Sequence, residues 1–507
     1  MTQPDPDDNL TGAGPETDLF RTDHLGADLK GRSVRGGMVT VTARVTGFLL
    51  RMGSLAVLAR LLTPADFGLI AMVTAVIGFM ILFKDLGLSH ATIQKKAITH
   101  RQVSALFWIN VGFSVVIMGV TAALSPLIAW FYGEPQLVGV TLALAAGFVF
   151  SGLTTQHQAL LRRQMRFGAL AMVQVASTVA GVAAGIVSAA FGAGYWALVV
   201  MILATEAGMT VGVWTVCGWR PGLPRGRSGV RALLAFGGYL TSFRLVNYFA
   251  RNLDNILIGR VWGGRMLGLY AKAYNLLLLP LSQINEPLGE VVFPALSHVQ
   301  DDRPRFRDYY LKSLSMLTLV TAPTSILCLV LADEIILTVL GPQWTEAGDI
   351  FRLLAIGALV QPLMNSAGWL YVPTGRARDL LKFGSIGVVL IVVSFFVGLP
   401  HGAVGVALCY SCAVLLWVWP CMHFAARDTL VDWRGILDAV RHPVLGALVS
   451  GALAFALRWL LANVLTAWAV LLIGATVMGA TYVLLVFWVF GRRDFYFSVL
   501  RGLRAPR

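Results

Sequence analysis

The sequence predicts an all-α polytopic membrane protein with fourteen transmembrane helices. Twelve form two parallel-repeat six-helix lobes around a central cavity, and two C-terminal helices follow. Three observations carry this reading. Hydrophobic residues make up 57% of the 507 residues and charged residues only 13%, with a mean hydropathy of +0.73. A water-soluble chain carries about 25% charged residues, so a surface this poor in polar groups needs lipid as its solvent. Long runs contain no Asp, Glu, Lys or Arg at all, among them 104–131, 167–205, 383–426 and 459–491. Finally, an internal offset of 200 residues brings arginines of the first and seventh helices into register.

A hydrocarbon core of about 30 Å takes ~20 apolar residues in helical form. Cutting the apolar runs at their Gly-, Pro- or Asn-containing turns gives spans at 38–60, 67–88, 104–131, 137–160, 168–191, 194–217 and 231–258. The remaining spans are 267–292, 313–332, 347–372, 380–398, 402–425, 442–462 and 467–490. Barrel strands are about 10 residues long and alternate in polarity, so continuous apolarity means helices. Residues 1–37 are acidic and rich in Gly and Pro, with no apolar signal stretch, and are expected to form a disordered cytoplasmic tail. The first lobe is expected over 38–218, a cytoplasmic linker over 219–230 and the second lobe over 231–425. The last two helices then fall within 426–490, and a basic cytoplasmic tail covers 491–507.

Net charge is +14, from 40 Lys and Arg against 26 Asp and Glu. The basic residues are sorted by side. With the N-terminus inside, thirty of them fall on inner segments, and only Arg260 and Arg265 fall outside. Lys and Arg accumulate on cytoplasmic loops, so both termini are expected inside a bacterial inner membrane. The basic balance then faces anionic headgroups, with no nucleic acid required.

The 200-residue offset aligns Arg44 with Arg244, Arg51 with Arg251 and Arg60 with Arg260, followed by Gly68, Leu69 and Ala71 with Gly268, Leu269 and Ala271. Tyr132-Gly133-Glu134-Pro135-Gln136 loosely matches Leu340-Gly341-Pro342-Gln343. Six helices separate the copies, so both have the same orientation, related by an axis along the membrane normal.

Charge inside a span costs about 2.5–3.5 kcal/mol at a helix centre, which makes these residues informative. Arg44 and Arg51 are seven apart and share a helix face about 10 Å apart along the axis, and Arg244 and Arg251 repeat the spacing. Guanidinium groups bind phosphate bidentately and stay protonated, so these four are the candidate anion-binding residues of the cavity. Snorkelling to the headgroups is the alternative; it suits Arg60, Arg260 and Arg458 better and remains open for Arg44. Asp254 lies one turn from Arg251 and is either its salt-bridge partner or a switchable group. Lys272 joins the cavity set, with Tyr248 and Tyr274 as its aromatic members. The other aromatics around these spans, Trp196, Tyr239, Tyr270, Trp369 and Tyr371, read as an interfacial belt. Glu286 and Glu290, four apart, either accept protons in a coupling cycle or sit at the inner interface. Glu206, isolated in a charge-free span, either faces the cavity or is protonated. Pro280 and Pro287 are expected to kink or interrupt the eighth helix.

No phosphate-binding loop, His-based metal motif or long outer loop occurs. Cys409 and Cys412 form a C-x-x-C without a partner pair, and the five cysteines give no disulfide framework. No metal and no cofactor are expected, and coupling to protons or sodium stays open.

Several stretches identify a family: LARLLTPADFGLIAMV (58–73), DLGLSHATIQKK (85–96), RNLDNILIGR (251–260), PLSQINEPLGEVVFPALS (280–297), DDRPRFRDYY (301–310) and GPQWTEAGDIFRLLA (341–355). They resemble the Wzx-type polysaccharide flippases of the multidrug/oligosaccharidyl-lipid/polysaccharide (MOP, MATE-like) exporter superfamily. The exopolysaccharide branch that includes colanic acid and succinoglycan exporters is the nearest, over about 36–425. The resemblance implies alternating-access translocation of undecaprenyl-diphosphate-linked oligosaccharide repeat units across the inner membrane, without catalysis. It implies a polysaccharide polymerase and a chain-length regulator as partners, membrane lipids around the protein, and a tail groove at the last two helices. Two other readings are weighed against it. A cation-coupled multidrug exporter needs an acidic cavity, whereas the mid-membrane charge here is mainly basic. A membrane polymerase or ligase needs a large outer catalytic loop.

Overall fold

The computed structural model describes residues 29–81, 89, 92, 93, 98–223, 231–427 and 429–497. Side chains are described from residue 42 onward, except at 231–247, 249–251 and 377. The predicted leader up to residue 28, the end of the basic tail and the guanidinium groups of Arg244 and Arg251 therefore lie outside the described residues.

Helix is the only regular structure among the described residues, and it follows the fourteen predicted spans. In the first half these are α1 (Leu29–Leu61), α2 (Pro64–Ile81), α3 (His100–Tyr132), α4 (Leu137–Arg163), α5 (Phe167–Ala190) and α6 (Trp196–Cys217). One helical stretch, Arg231–His298, holds the next two, α7 (231–262) and α8 (264–298), joined at Gly263 with φ 77° and ψ −178°. Then come α9 (Arg303–Val330), α10 (Ala347–Tyr371), α11 (Ala377–Gly398), α12 (Gly402–Ala426), α13 (Trp433–Leu461) and α14 (Ala467–Leu484), which closes in a π turn, Leu485–Val489. Among the described residues, eleven helical stretches are long and apolar enough to cross a membrane, and one of these, Arg378–Ala426, contains both α11 and α12. The protein is a multi-pass membrane protein.

Several boundaries differ from the hydropathy reading for a common reason. Helices α1, α9 and α13 begin about nine residues before the predicted spans because polar helical turns continue past the apolar stretch. Asp302 caps α9 by accepting from the Arg305 N–H at 3.1 Å, and the early turns carry Arg303, Arg305 and Arg307. Arg307 bonds Asp432 at 3.0 Å just before α13, and this holds the Asp432 carboxyl below its usual range. The outer loop expected at 259–266 is absent: Gly263 alone makes the turn, in a conformation open to glycine. Pro280, Pro287 and Pro294 lie inside α8, which runs through them without interruption. An unpredicted short helix, Ala332–Val339, follows α9.

Contacts divide the chain into two compact units, one of residues up to 62 with 73–249, the other of 63–72 with 250–507. In the first, α3 packs on α4, α5 on α6 and α4 on α6; in the second, α9 packs on α10, α11 on α12 and α10 on α12. The same pairing recurs in each unit. Helix α13 packs on α9 and α14.

The repeat also reaches individual side chains. Thr121 and Thr321 are both buried, as are Ser125 and Ser325, so the 200-residue offset persists through α3 and α9. It then grows to 208 at Gly133 and Gly341, both at positive φ, across the eight residues of Ala332–Val339. At the turn before the fifth helix of each half it is 210. There the Arg166 N–H donates to Leu161 O and the Met165 N–H to Arg162 O, while Arg376 donates to Tyr371 O and Gly375 to Val372 O. Both turns are Schellman-type helix ends.

Small residues bring α5 and α6 together. Gly181 and Gly185 face Met201, Thr205 and Ala197, and Gly208 and Gly212 face Ser177 and Val173. These are two G-x-x-x-G strips, which let helix backbones approach where lipid gives no hydrophobic drive for association.

Candidate functional site

On α1, the predicted arginines Arg44 and Arg51 are both exposed. Arg51 Nε donates to Gly47 O at 3.1 Å, so its guanidinium lies over Gly47, one turn earlier on the same helix. The whole helix carries six basic residues and no acid.

The residues predicted around Asp254 form a cluster within the second unit. Asp254 is buried and accepts from Tyr270 Oη at 2.9 Å and from the Asn255 N–H at 2.8 Å. Tyr270 stacks on Tyr274 with ring centres 6.1 Å apart, and Tyr274 meets Tyr410 edge-on. Tyr270, read from sequence as a belt residue, is thus fully buried and holds the acid. Lys272 places its ammonium 4.3 Å from the ring centre of Phe67, a cation–π contact, and Phe67 in turn packs edge-on to Trp344. Glu286 and Glu290 are exposed on α8. In the first unit, Tyr248 Oη donates to Ala75 O at 2.6 Å and lies against Gly78, so its hydroxyl hydrogen is committed to the backbone of α2.

Arg458, expected to reach the headgroups, instead pairs with acids. Its guanidinium bonds Glu334 at 2.7 Å and also Asp333, and Asp333 takes a second bond from Arg352, which reaches Asp349 as well. Asp333 and Glu334 come from the short helix Ala332–Val339, which hydropathy does not mark.

Glu206 lines a polar cavity of about 380 Å³ in the first unit. The second half of α4, the first half of α5 and the middle of α6 form its walls. Arg162 and Gln158 stand on one wall and Gln174 on another, with serine and threonine hydroxyls between. The charge search missed these neutral residues. Their signal was Gln174, Ser177 and Thr178 at helical spacing in the charge-free run 167–205.

Beside this cavity, the first residues of the linker are strapped to the unit. Trp219 is fully buried, and its carbonyl lies 3.2 Å from His157 Nε2. Trp108 Nε1 donates to Gly222 O, and the Gly222 N–H donates to Ser104.

Residues 57–349, more than half of the chain, match a family described as "Polysaccharide biosynthesis protein". The chain belongs to this family. Curated relatives agree with the membership. The chain is 27% identical over 383 residues to the lipopolysaccharide biosynthesis protein WzxC of Escherichia coli (strain K12), covering 75% of this chain and 78% of that one. It is 30% identical over 322 residues to the teichuronic acid biosynthesis protein TuaB of Bacillus subtilis (strain 168), covering 63% and 66%. With the succinoglycan biosynthesis transport protein ExoT of Rhizobium meliloti (strain 1021) it shares 23% identity over 452 residues, 88% and 91% of the two chains. Among solved structures, the lipid II flippase MurJ in an inward closed conformation superposes with a TM-score of 0.72, covering 91% of this chain and 99% of that one at 13% identity. An inward-facing multidrug resistance transporter of the MATE family superposes at 0.57 over 75% and 94%, also at 13% identity. This polysaccharide biosynthesis protein therefore has the fold of the MOP superfamily.

Proposed function

We propose that the protein is a flippase of the bacterial inner membrane. It moves undecaprenyl-diphosphate-linked oligosaccharide repeat units from the cytoplasmic to the periplasmic leaflet, for exopolysaccharide or lipopolysaccharide synthesis. The cargo crosses chemically unchanged, so the protein is a transporter and not an enzyme. Both termini lie in the cytoplasm, on the side where the basic loops collect. The family, relatives named for polysaccharide biosynthesis and transport, and the flippase-type fold all support this reading.

The observation that carries it is the charge of α1: Arg44 and Arg51 in an apolar helix without a single acidic residue. A diphosphate cannot enter a low-dielectric environment without compensating charge, and guanidinium forks supply it. Arg244, Arg251 and Lys272 extend the same role, with Tyr248 and Tyr274 beside them, and Asp254, Glu206, Glu286 and Glu290 are the groups available for ion coupling. A polysaccharide polymerase and a chain-length regulator are its partners in this reading. Lipid extracts of a deletion strain test the proposal: undecaprenyl-linked repeat units accumulate on the inner leaflet, and the wild-type gene clears them. Arg51→Ala leaves them in place although the protein inserts normally. Clearance by Arg51→Ala at the wild-type rate removes the arginine from the mechanism.

A further inference from the structure

We propose that the cavity between α4, α5 and α6 is a saccharide subsite, which binds hydroxyl groups of the repeat unit through a wall that offers them both acceptors and donors. The inference rests on the flippase reading and adds to it a site for the sugar, apart from the arginines assigned to the diphosphate.

The first observation is the place of the cavity. It lies among membrane-spanning helices and runs from Arg162, in the last turn of α4, to Glu206 at the middle of α6. Polar groups at such depth are costly in lipid and mark substrate or ion pathways. The second is its size. About 380 Å³ is within the range of small-ligand sites, roughly 300–1,000 Å³. That is far more than a bare cation needs and suits a mono- or disaccharide.

Hydrogen-bond direction is the third observation. Thr154, Thr155, Ser177, Thr178 and Thr205 each donate their hydroxyl hydrogen to a carbonyl four residues earlier on their own helix, at 2.7–2.8 Å. A hydroxyl has one hydrogen and two lone pairs. With these hydrogens committed to the helices, the hydroxyls that line the cavity offer it lone pairs, Thr154 also bonding Thr210 Oγ1 at 2.9 Å, and Glu206 adds further acceptors. The donors are the Arg162 guanidinium, the amides of Gln158 and Gln174, and the hydroxyls of Ser89 and Ser151. Such a wall complements a ligand rich in hydroxyl groups, each of which donates to one wall group and accepts from another. A phosphate, which only accepts, would engage the Arg162 guanidinium and the amides but leave the hydroxyl oxygens and Glu206 without donors.

The test uses the full-length protein in lipid nanodiscs. The probe is the phosphate-free repeat-unit oligosaccharide released by hydrolysis from the polysaccharide of the same cells. Calorimetry is expected to detect binding by the wild type, weakened about tenfold by Thr178→Val and by Glu206→Gln. Thr178→Ser, which keeps the hydroxyl, restores it. Thr324→Val removes a hydroxyl with the same kind of backbone bond on α9 and leaves binding unchanged. Size-exclusion profiles confirm that each variant is folded. A wild type that exports polysaccharide but binds no oligosaccharide overturns the subsite alone, as does binding unaffected by Thr178→Val or matched by sodium chloride without sugar. A wild type that fails to clear lipid-linked intermediates overturns the flippase reading, and the subsite with it.

Discussion

Gly68 packs so closely on Gly264 that a Cβ at position 68 would overlap the Gly264 carbonyl oxygen, and the contact has a mirror: Gly268 faces the carbonyl of Pro64 in the same way. The four residues are two pairs at the 200-residue offset, 64 with 264 and 68 with 268. Residue i meets the partner of j, and j meets the partner of i, which is the signature of an isologous two-fold contact. The starts of α2 and α8, repeat-related helices, therefore cross about a local two-fold axis, as parallel repeats require.

Side chains at this crossing are expected to be costly. Gly68→Ala and Gly268→Ala each force backbone to move, since the obstruction is a carbonyl and not a flexible side chain. Overpacking of this kind costs about 1–3 kcal/mol. Thermal unfolding in detergent measures it, with Gly384→Ala as the reference, because nothing lies within 4 Å of a Cβ there. Equal melting temperatures for all three variants would show that the crossing relaxes freely.

The α5–α6 contact gives a second expectation. A Cβ at Gly181 would collide with the Thr205 hydroxyl and approach Met201 O to 2.7 Å. Gly181→Val is therefore expected to lower the yield of folded, monodisperse protein sharply, while Gly119→Ala, in open space, leaves it unchanged. A wild-type yield for Gly181→Val would mean that the glycine strips do not set the helix separation.

The fourteen helices were legible because apolar length is a property of the chain read one residue after another. The turn at Gly263 was not, since one residue in an unusual conformation leaves no trace in a hydropathy window. Nor was Ala332–Val339: eight residues carrying Asp333 and Glu334 read as an outer loop, although they fold inward to meet Arg352 and Arg458. In the candidate site, Arg51 and Glu206 stood out as charges in lipid. Thr178 and Gln174 did not, because a neutral polar side chain on a helix has too many other uses until the cavity it faces is known. The Asp254–Tyr270 bond was equally hidden: sixteen residues and the α7–α8 turn separate two groups that pack 2.9 Å apart.

The two Schellman-type turns supply an asymmetric test. Gly375 has φ 73° and Met165, its counterpart, φ 54°. A left-handed conformation costs an ordinary residue roughly 1–2 kcal/mol. Gly375→Ala introduces that cost in full, with no steric contact to confuse it. Met165→Ala adds no backbone strain, since the methionine already bears it, and loses only partly buried side-chain contact. Unfolding midpoints should fall further for Gly375→Ala; the reverse order would mean that the packing of Met165 outweighs backbone conformation.

The ion network at Arg458 separates pairing from burial. Glu334 is only 5% exposed, and its second carboxylate oxygen has no hydrogen-bond partner. Arg458→Met removes the guanidinium that holds it and leaves a charge with no compensation; breaking a buried pair in this way costs about 3–5 kcal/mol. Replacing both partners with apolar residues of similar volume is often neutral, so the double variant Arg458→Met with Glu334→Leu should recover most of the loss. Asp333 keeps its bond to Arg352 in either case, which limits the damage to the Glu334 side. A double-mutant cycle on thermal stability reads the coupling directly. If the double variant is as unstable as the sum of the single ones, the two side chains act independently and the acid is held by something other than Arg458.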